Sequence, residues 1–447
     1  MEGLEISVVK LSEVLEDVDL RLESEYYNSE HIVFNSVQGC DIESFSQYGT
    51  SEDLNEEGKG FPILRLNEFD SFFISKPSKY CDLISKETFE LLKLKKNDVL
   101  ICRTNGNPKY VGKAAIVPKN YEYAFASYVF RLRPKTDIIN SATLVSFLNS
   151  KYGRIEIEKY SMVGNQANFS PAKFRQIAIP ILSKELNNKI EEIVYKSFEL
   201  LEESKSLYSQ AEDLLLNELG LKEWQPKNTL HTTKKFSDFA QSGRLDAEYY
   251  QPKYDEIEKV IKSYKGGYDI VSKLFNQNVD VCDYKKTEYN YVEIGDVNVG
   301  DGSVSFNKVD TSELPDNAKR VLHKNDILIS KVRPYRGAVA IIDFEQEDLI
   351  GSGAFTVLQE KSSYKKETLQ ILFRTAVYKD WLLKWNVGSS YPVIKDEDIL
   401  NLPIPILPEQ IQKKIASLIQ QSFECKAQSK QLLEDAKRMV ESEIEKN

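Results

Sequence analysis

Two stretches of this chain mix cations, amides and tyrosine directly after a short apolar run. Arg103-Thr104-Asn105-Gly106-Asn107-Pro108-Lys109-Tyr110, with Lys113 just beyond, follows Val99-Leu100-Ile101-Cys102. Lys331-Val332-Arg333-Pro334-Tyr335-Arg336 follows Ile327-Leu328-Ile329. Arg and Lys hold phosphates or the O6/N7 edge of guanine, and Asn reads adenine. A second polar loop lies downstream of each. One runs from Ser161 to Asn168 and offers Asn165, Gln166 and Asn168; the other is Gly388-Ser389-Ser390-Tyr391. Any one of these residues, taken alone, reads equally well as solvated surface. Taken together, the loops predict DNA binding.

Catalytic patterns are missing from the sequence. Gly106 to Ala114 resembles a nucleotide-binding loop, but it has five residues between its glycines, a proline in the cradle, and Ala where Ser or Thr must ligate magnesium. Asp296 to Gly302 resembles a calcium loop, yet Asn307 stands at the twelfth position where Glu is needed, so a turn between strands is expected. The three histidines, His31, His231 and His323, belong to no triad or zinc motif. No Asn-Pro-Pro-Tyr element of an amino-methyltransferase is present, and Glu203-Ser204-Lys205 falls on a long helix rather than in a nuclease carboxylate cluster. The chain is expected to hold no metal and no cofactor and to catalyse nothing alone.

The elements that must position the polar loops occur twice. Arg21-Leu22-Glu23-Ser24-Glu25-Tyr26-Tyr27 returns as Arg244-Leu245-Asp246-Ala247-Glu248-Tyr249-Tyr250. Asn97-Asp98-Val99-Leu100-Ile101 returns as Asn325-Asp326-Ile327-Leu328-Ile329, Ile179-Pro180-Ile181-Leu182 as Ile404-Pro405-Ile406-Leu407, and Ser197-Phe198-Glu199 as Ser422-Phe423-Glu424. These landmarks keep one order at nearly one offset, far longer than a solenoid period, so the chain is a duplicated domain. Runs such as Phe61 to Leu66, Ala114 to Val117, Tyr128 to Leu132, Tyr291 to Ile294 and Ala338 to Ile342 predict strands. Helical patches are expected near 141–159 and 366–384.

Long helices without Pro or Gly are predicted over 184–219 and 409–446. A small seam holds Ile, Ser, Ser, Ala and Glu at 190, 197, 204, 211 and 218, and the same types at 415, 422, 429, 436 and 443. A large seam holds Ile193, Leu200, Leu207 and Leu214 against Leu418, Cys425, Leu432 and Met439, flanked by Val194, Leu201, Leu215, Ile419, Leu433 and Val440. The matched seams predict that the helices pair with each other as an antiparallel coiled coil, small seam interlocking with large. The fold class is α+β, a pseudo-twofold internal repeat of two similar globular domains with a pair of long helices between them. The expected boundaries are 1–183, 184–223 for the central helix, 224–235 for a linker, 236–408, and 409–447 for the second helix.

The net charge of −10 argues against nucleic acid until its distribution is considered. Residues 97–175 hold twelve basic and five acidic side chains, and 319–339 holds six Lys/Arg and one Asp. Positive charge at matching places in both copies points to a shared anionic ligand. No run approaches a membrane span. Cys40, Cys81, Cys102, Cys282 and Cys425 form no CxxC pair, and the N-terminal residues lack signal-peptide features, so the cytoplasm is expected.

In the twofold order of the 21–27 and 244–250 motifs, the Asn-Asp strand, the Pro-Ile-Pro closing motif and the long helix, the chain resembles the specificity subunits of type I restriction-modification systems over essentially its full length. That resemblance implies two target-recognition domains, each reading one half of a bipartite, asymmetric double-stranded DNA sequence. It also implies two modification subunits as partners, carrying S-adenosylmethionine, and ATP-dependent restriction subunits in a larger complex. Each long helix would span about 50 Å at about 1.5 Å per residue. Set beside about 34 Å per DNA turn, that makes the helices a ruler for an unread spacer. A stand-alone methyltransferase or nuclease, and a duplicated protein-binding scaffold, are the alternatives.

Overall fold

The structure, a computed structural model, describes residues 8–16, 34–161, 167–227, 229, 231–388 and 391–446. The 21–27 motif, His31, Asn165, Gln166, Ser389 and Ser390 lie outside the described residues. The chain forms two compact units. One comprises 1–201 with 426–447, and the other 202–425. Each long helix, Lys184–Leu219 and Glu409–Ile444, is therefore shared between units.

The first unit is built on an antiparallel sheet in the order Glu43–Tyr48, Val129–Pro134, Val99–Cys102, Ala114–Ile116. The second unit repeats that order with Phe275–Gln277, Phe355–Glu360, Ile327–Ser330 and Val339–Ile341. A second sheet in each unit contains one parallel strand pairing, Phe61–Leu64 with Ala124–Phe125 and Glu288–Val292 with Leu349–Ser352, though it has three strands in the first unit and four in the second. The closing motifs form edge pairs. Ala178–Pro180 is antiparallel to Ser36–Gln38, and Pro403–Pro405 to Tyr268–Ile270. A two-stranded edge tolerates a proline that lacks the ladder N–H.

The repeated Asn-Asp-apolar run has a local cause. Asn97 and Asn325 sit at φ 70° and 73°, a left-handed turn that asparagine tolerates better than most L-residues. The next carboxylate closes the turn, Asp98 accepting from the Lys95 amide and Asp326 from the His323 amide, each at 2.9 Å. The strand that follows is buried on both faces, which is why it reads as a continuous apolar run rather than an alternation. Val99 and Ile101 join the core that also holds the unit's helices, while Leu100 joins the core under the second sheet. Ile327 and Ile329 divide from Leu328 in the same way.

The two copies differ in how they support that aspartate. Asp98 pairs with Arg131 at 3.2 Å and Arg133 at 2.6 Å, and the Arg131 and Asp98 side chains are only 2% and 1% exposed. Asp326 instead accepts from Asn278 at 3.0 Å and Gln359 at 2.9 Å.

The long helices meet along their small seams. In the first unit Ser197 and Ser429 hydroxyls lie 2.8 Å apart, and in the second Ser204 and Ser422 lie 3.0 Å apart. Seven residues forward on one helix match seven backward on the other, so the helices are antiparallel. The expected interlocking of small against large seams is corrected. Ser197, Ser204, Ala211, Ser422, Ser429 and Ala436 are buried, whereas in the large seam Leu200 is buried but Ile193, Leu207, Leu214, Leu418, Leu432 and Met439 are only partly buried. Small side chains let the backbones approach until serine meets serine, which leaves the large row at the margin. The flanking row turns inward: Val194, Leu201, Leu433 and Val440 complete the first unit's core, and Leu215 and Ile419 the second's.

Candidate nucleic-acid interface

In the first unit the two separately predicted loops come together. Arg103 leaves its strand with its amide on the Tyr128 carbonyl at 2.8 Å, and its own carbonyl accepts from Phe169 at 2.8 Å. Thr104–Asn105 then pairs antiparallel with Ala167–Asn168. The Arg103 guanidinium lies 5.0 Å from the centroid of the Tyr48 ring, a cation–π placement. Asn105 and Asn107 spend their side-chain oxygens on the turn, accepting from the amides of Asn107 at 2.8 Å and Lys109 at 3.1 Å. Lys109 and Tyr110 are exposed, with the Lys113 ammonium 5.9 Å from the Tyr110 ring centroid.

Arg154 holds this loop from beneath, donating to the Val111 carbonyl at 2.8 Å. Burial lowers its guanidinium pKa below the ordinary value. Gly112 has φ 75°, and a Cβ there would lie 2.3 Å from Ile157, so this glycine answers to backbone and packing. Across a cleft of about 390 Å³, Thr104, Asn105 and Gly106 face Arg65, Asn67 and Tyr128.

The second unit assembles its loops by another route. Val332 and Val387 both bridge to Val393, and the Arg333 amide donates to the Pro392 carbonyl at 2.7 Å. Arg333 sits at φ 49°, and its guanidinium lies 4.4 Å from the ring centroid of Tyr391. Tyr335, Arg336 and Tyr391 are exposed. Lys331 stands apart from them because its ammonium pairs with Asp396 at 3.1 Å. The 244–250 motif braces this loop. Arg244 binds Asp246 at 2.7 Å and the Asn386 carbonyl at 2.7 Å, its guanidinium is 4.8 Å from the Tyr249 ring centroid, and the Tyr250 hydroxyl donates to the Arg244 carbonyl at 3.0 Å.

Both units thus place an arginine over a tyrosine beside the end of a central strand, with the tyrosines drawn from unrelated positions in the repeat. Sequence reasoning missed Tyr48, Arg65, Asn67 and Tyr128. Arg65 carried a usable signal, since it follows its strand as Arg103 does. Tyr48 carried none, because only sheet order brings it near Arg103. Among the described residues no cluster of His, Cys, Asp and Glu could hold a metal ion, and no helix is long and apolar enough to cross a membrane.

Residues 268–438 match the family model described as the type I restriction modification DNA specificity domain. That match lies within the second half of the chain, and the strand order of its central sheet recurs in the first unit. Among solved structures it is similar to the type I S subunit from M. genitalium, at 13% identity and a TM-score of 0.44, covering 93% of this chain and 96% of that one. It is also similar to the HsdS subunit from Thermoanaerobacter tengcongensis, at 13% identity and a TM-score of 0.29, covering 92% and 96%. No curated protein matches the chain.

Proposed function

We infer that each unit reads one half of a bipartite, asymmetric double-stranded DNA target, and that the chain does so without catalysis of its own. One observation carries this reading: equal frames hold unequal readers. The sheets, the Asn-Asp turns and the closing strands repeat, while the loop side chains do not. The first unit offers Arg103, Thr104, Asn105, Asn107, Lys109, Tyr110 and Lys113, with Asn168 and, outside the described residues, Asn165 and Gln166. The second offers Arg333, Tyr335, Arg336 and Tyr391, with Lys331 tied back and Ser389 and Ser390 outside the described residues. An asymmetric target needs that difference.

The long helices set the spacer and dock two modification subunits, which carry the S-adenosylmethionine. Restriction subunits driven by ATP join the larger complex. Cys40, Cys81, Cys102 and Cys282 are free thiols, in keeping with a cytoplasmic protein. The test is exchange of residues 236–403 for the matching body of a relative, followed by sequencing of methylated DNA. One half of the methylated sequence should change. A swap that alters both halves, or neither, rules out two independent readers.

A further inference from the structure

The cleft beside the first unit's reading loop has one wall from a segment that no motif singled out. That wall is the short turn Leu66–Glu68. Its geometry is set by Glu68, which is buried and accepts from the Arg65 amide at 2.8 Å, the Arg65 guanidinium at 3.0 Å and the Ser78 hydroxyl at 2.8 Å. The Glu68 carbonyl accepts from the Ser75 amide at 2.8 Å. Asn67 is held at the tip of this clamped turn. It is exposed, and its amide makes no hydrogen bond among the described residues.

An amide reads adenine by accepting from N6 and donating to N7 at once, so both of its ends must be free. Asn105 and Asn107 meet it less freely, since one lone pair of each oxygen already serves the turn. Asn67 meets it. The second unit repeats the frame, the Asp296 carboxylate accepting from the Glu293 amide at 2.9 Å. There Glu293 and Gly295 stand in place of Arg65 and Asn67. The turn does not need the amide.

We propose that Asn67 is a specificity-determining residue that reads an adenine in the first unit's half-site, with the clamped Arg65 guanidinium as a fixed cation beside it. This rests on the two-reader function above. Asn67→Ala and Asn67→Gly, the latter matching the second unit, are to be assembled as full chains with modification subunits and assayed on duplexes substituted at each position of the methylated motif. One adenine position in one half-site should lose about ten- to a hundredfold in discrimination. The other half-site and the salt dependence should not change, because no charge is lost. Unfolding temperatures should match the wild type.

An unchanged motif in both variants, a uniform loss over all sequences, or relaxation at a base other than adenine overturns the assignment. The 236–403 exchange separates the two levels. If the exchange still alters one half only while the Asn67 variants alter nothing, Asn67 is wrong and the two readers stand. If the exchange fails as well, the reading beneath it is wrong.

Discussion

Asp98 and Asp326 occupy one place in the repeat with different partners, so their loss should differ. Removing Asp98 strands Arg131 as a buried, unpaired cation, a change that typically costs about 3–5 kcal/mol. Removing Asp326 leaves the amides of Asn278 and Gln359 unpaired and takes the carboxylate away from the exposed His323 ring 3.6 Å off, at about 1–3 kcal/mol. Chemical denaturation of Asp98→Ala and Asp326→Ala should therefore rank the first as more damaging; equal losses would mean that the ion pairs add nothing. Tyr195 supplies a pH dependence in the same unit. Burial pushes its phenol up to about 12, above the ordinary value of about 10, and its hydroxyl donates to the Asn97 side chain. A raised pKa favours the protonated form in the folded state. Its contribution is full below about pH 10 and is lost as pH rises toward 12. Tyr195→Phe should flatten that alkaline loss in a thermal-melt series.

At the reading loops, the strained Arg333 separates backbone from side chain. Arg333→Gly suits the left-handed φ of 49°, so stability should hold while one base position in the second half-site relaxes by about 1–3 kcal/mol. A collapse of folding in that variant would refute the argument. These residue-level facts were only partly legible beforehand. The cationic loops announced themselves through composition, but Lys331 looked as free as Arg333 until Asp396 was found beside it.

Among the elements, the short strands and the duplicated order were readable because burial on both faces leaves continuous apolar runs. The division of labour between helix seams was not. A heptad register shows which residues share a stripe, but how closely two backbones approach depends on side-chain volume at the contact. Serine and alanine allow an approach that pushes leucine to the edge. The consequence is testable in a pair of variants. Ser204→Leu overfills a buried contact and should cost about 1–3 kcal/mol. Leu207→Ala empties a partly buried site and should fall below the 2–5 kcal/mol typical of buried leucine. Thermal unfolding that ranks them the other way would return the large seam to the interface.

For the whole molecule, the division of the chain matters most. The first unit's core contains Leu433, Ala436, Val440 and Ile444, from the far end of the second long helix, while the second unit is one continuous stretch, 202–425. Order of synthesis therefore opposes order of completion. Domains made first commonly fold first during translation, yet the first unit must wait with an open core until residues 426–444 have left the ribosome. The second unit closes earlier although it is made later. A message cut short after residue 425 would then yield a chain whose later-made reader is whole and whose earlier-made reader is not. Limited proteolysis of that truncated chain should spare 202–425 and digest 34–201. Premature termination would thus leave the cell with one closed unit and one open one rather than a wholly unfolded chain.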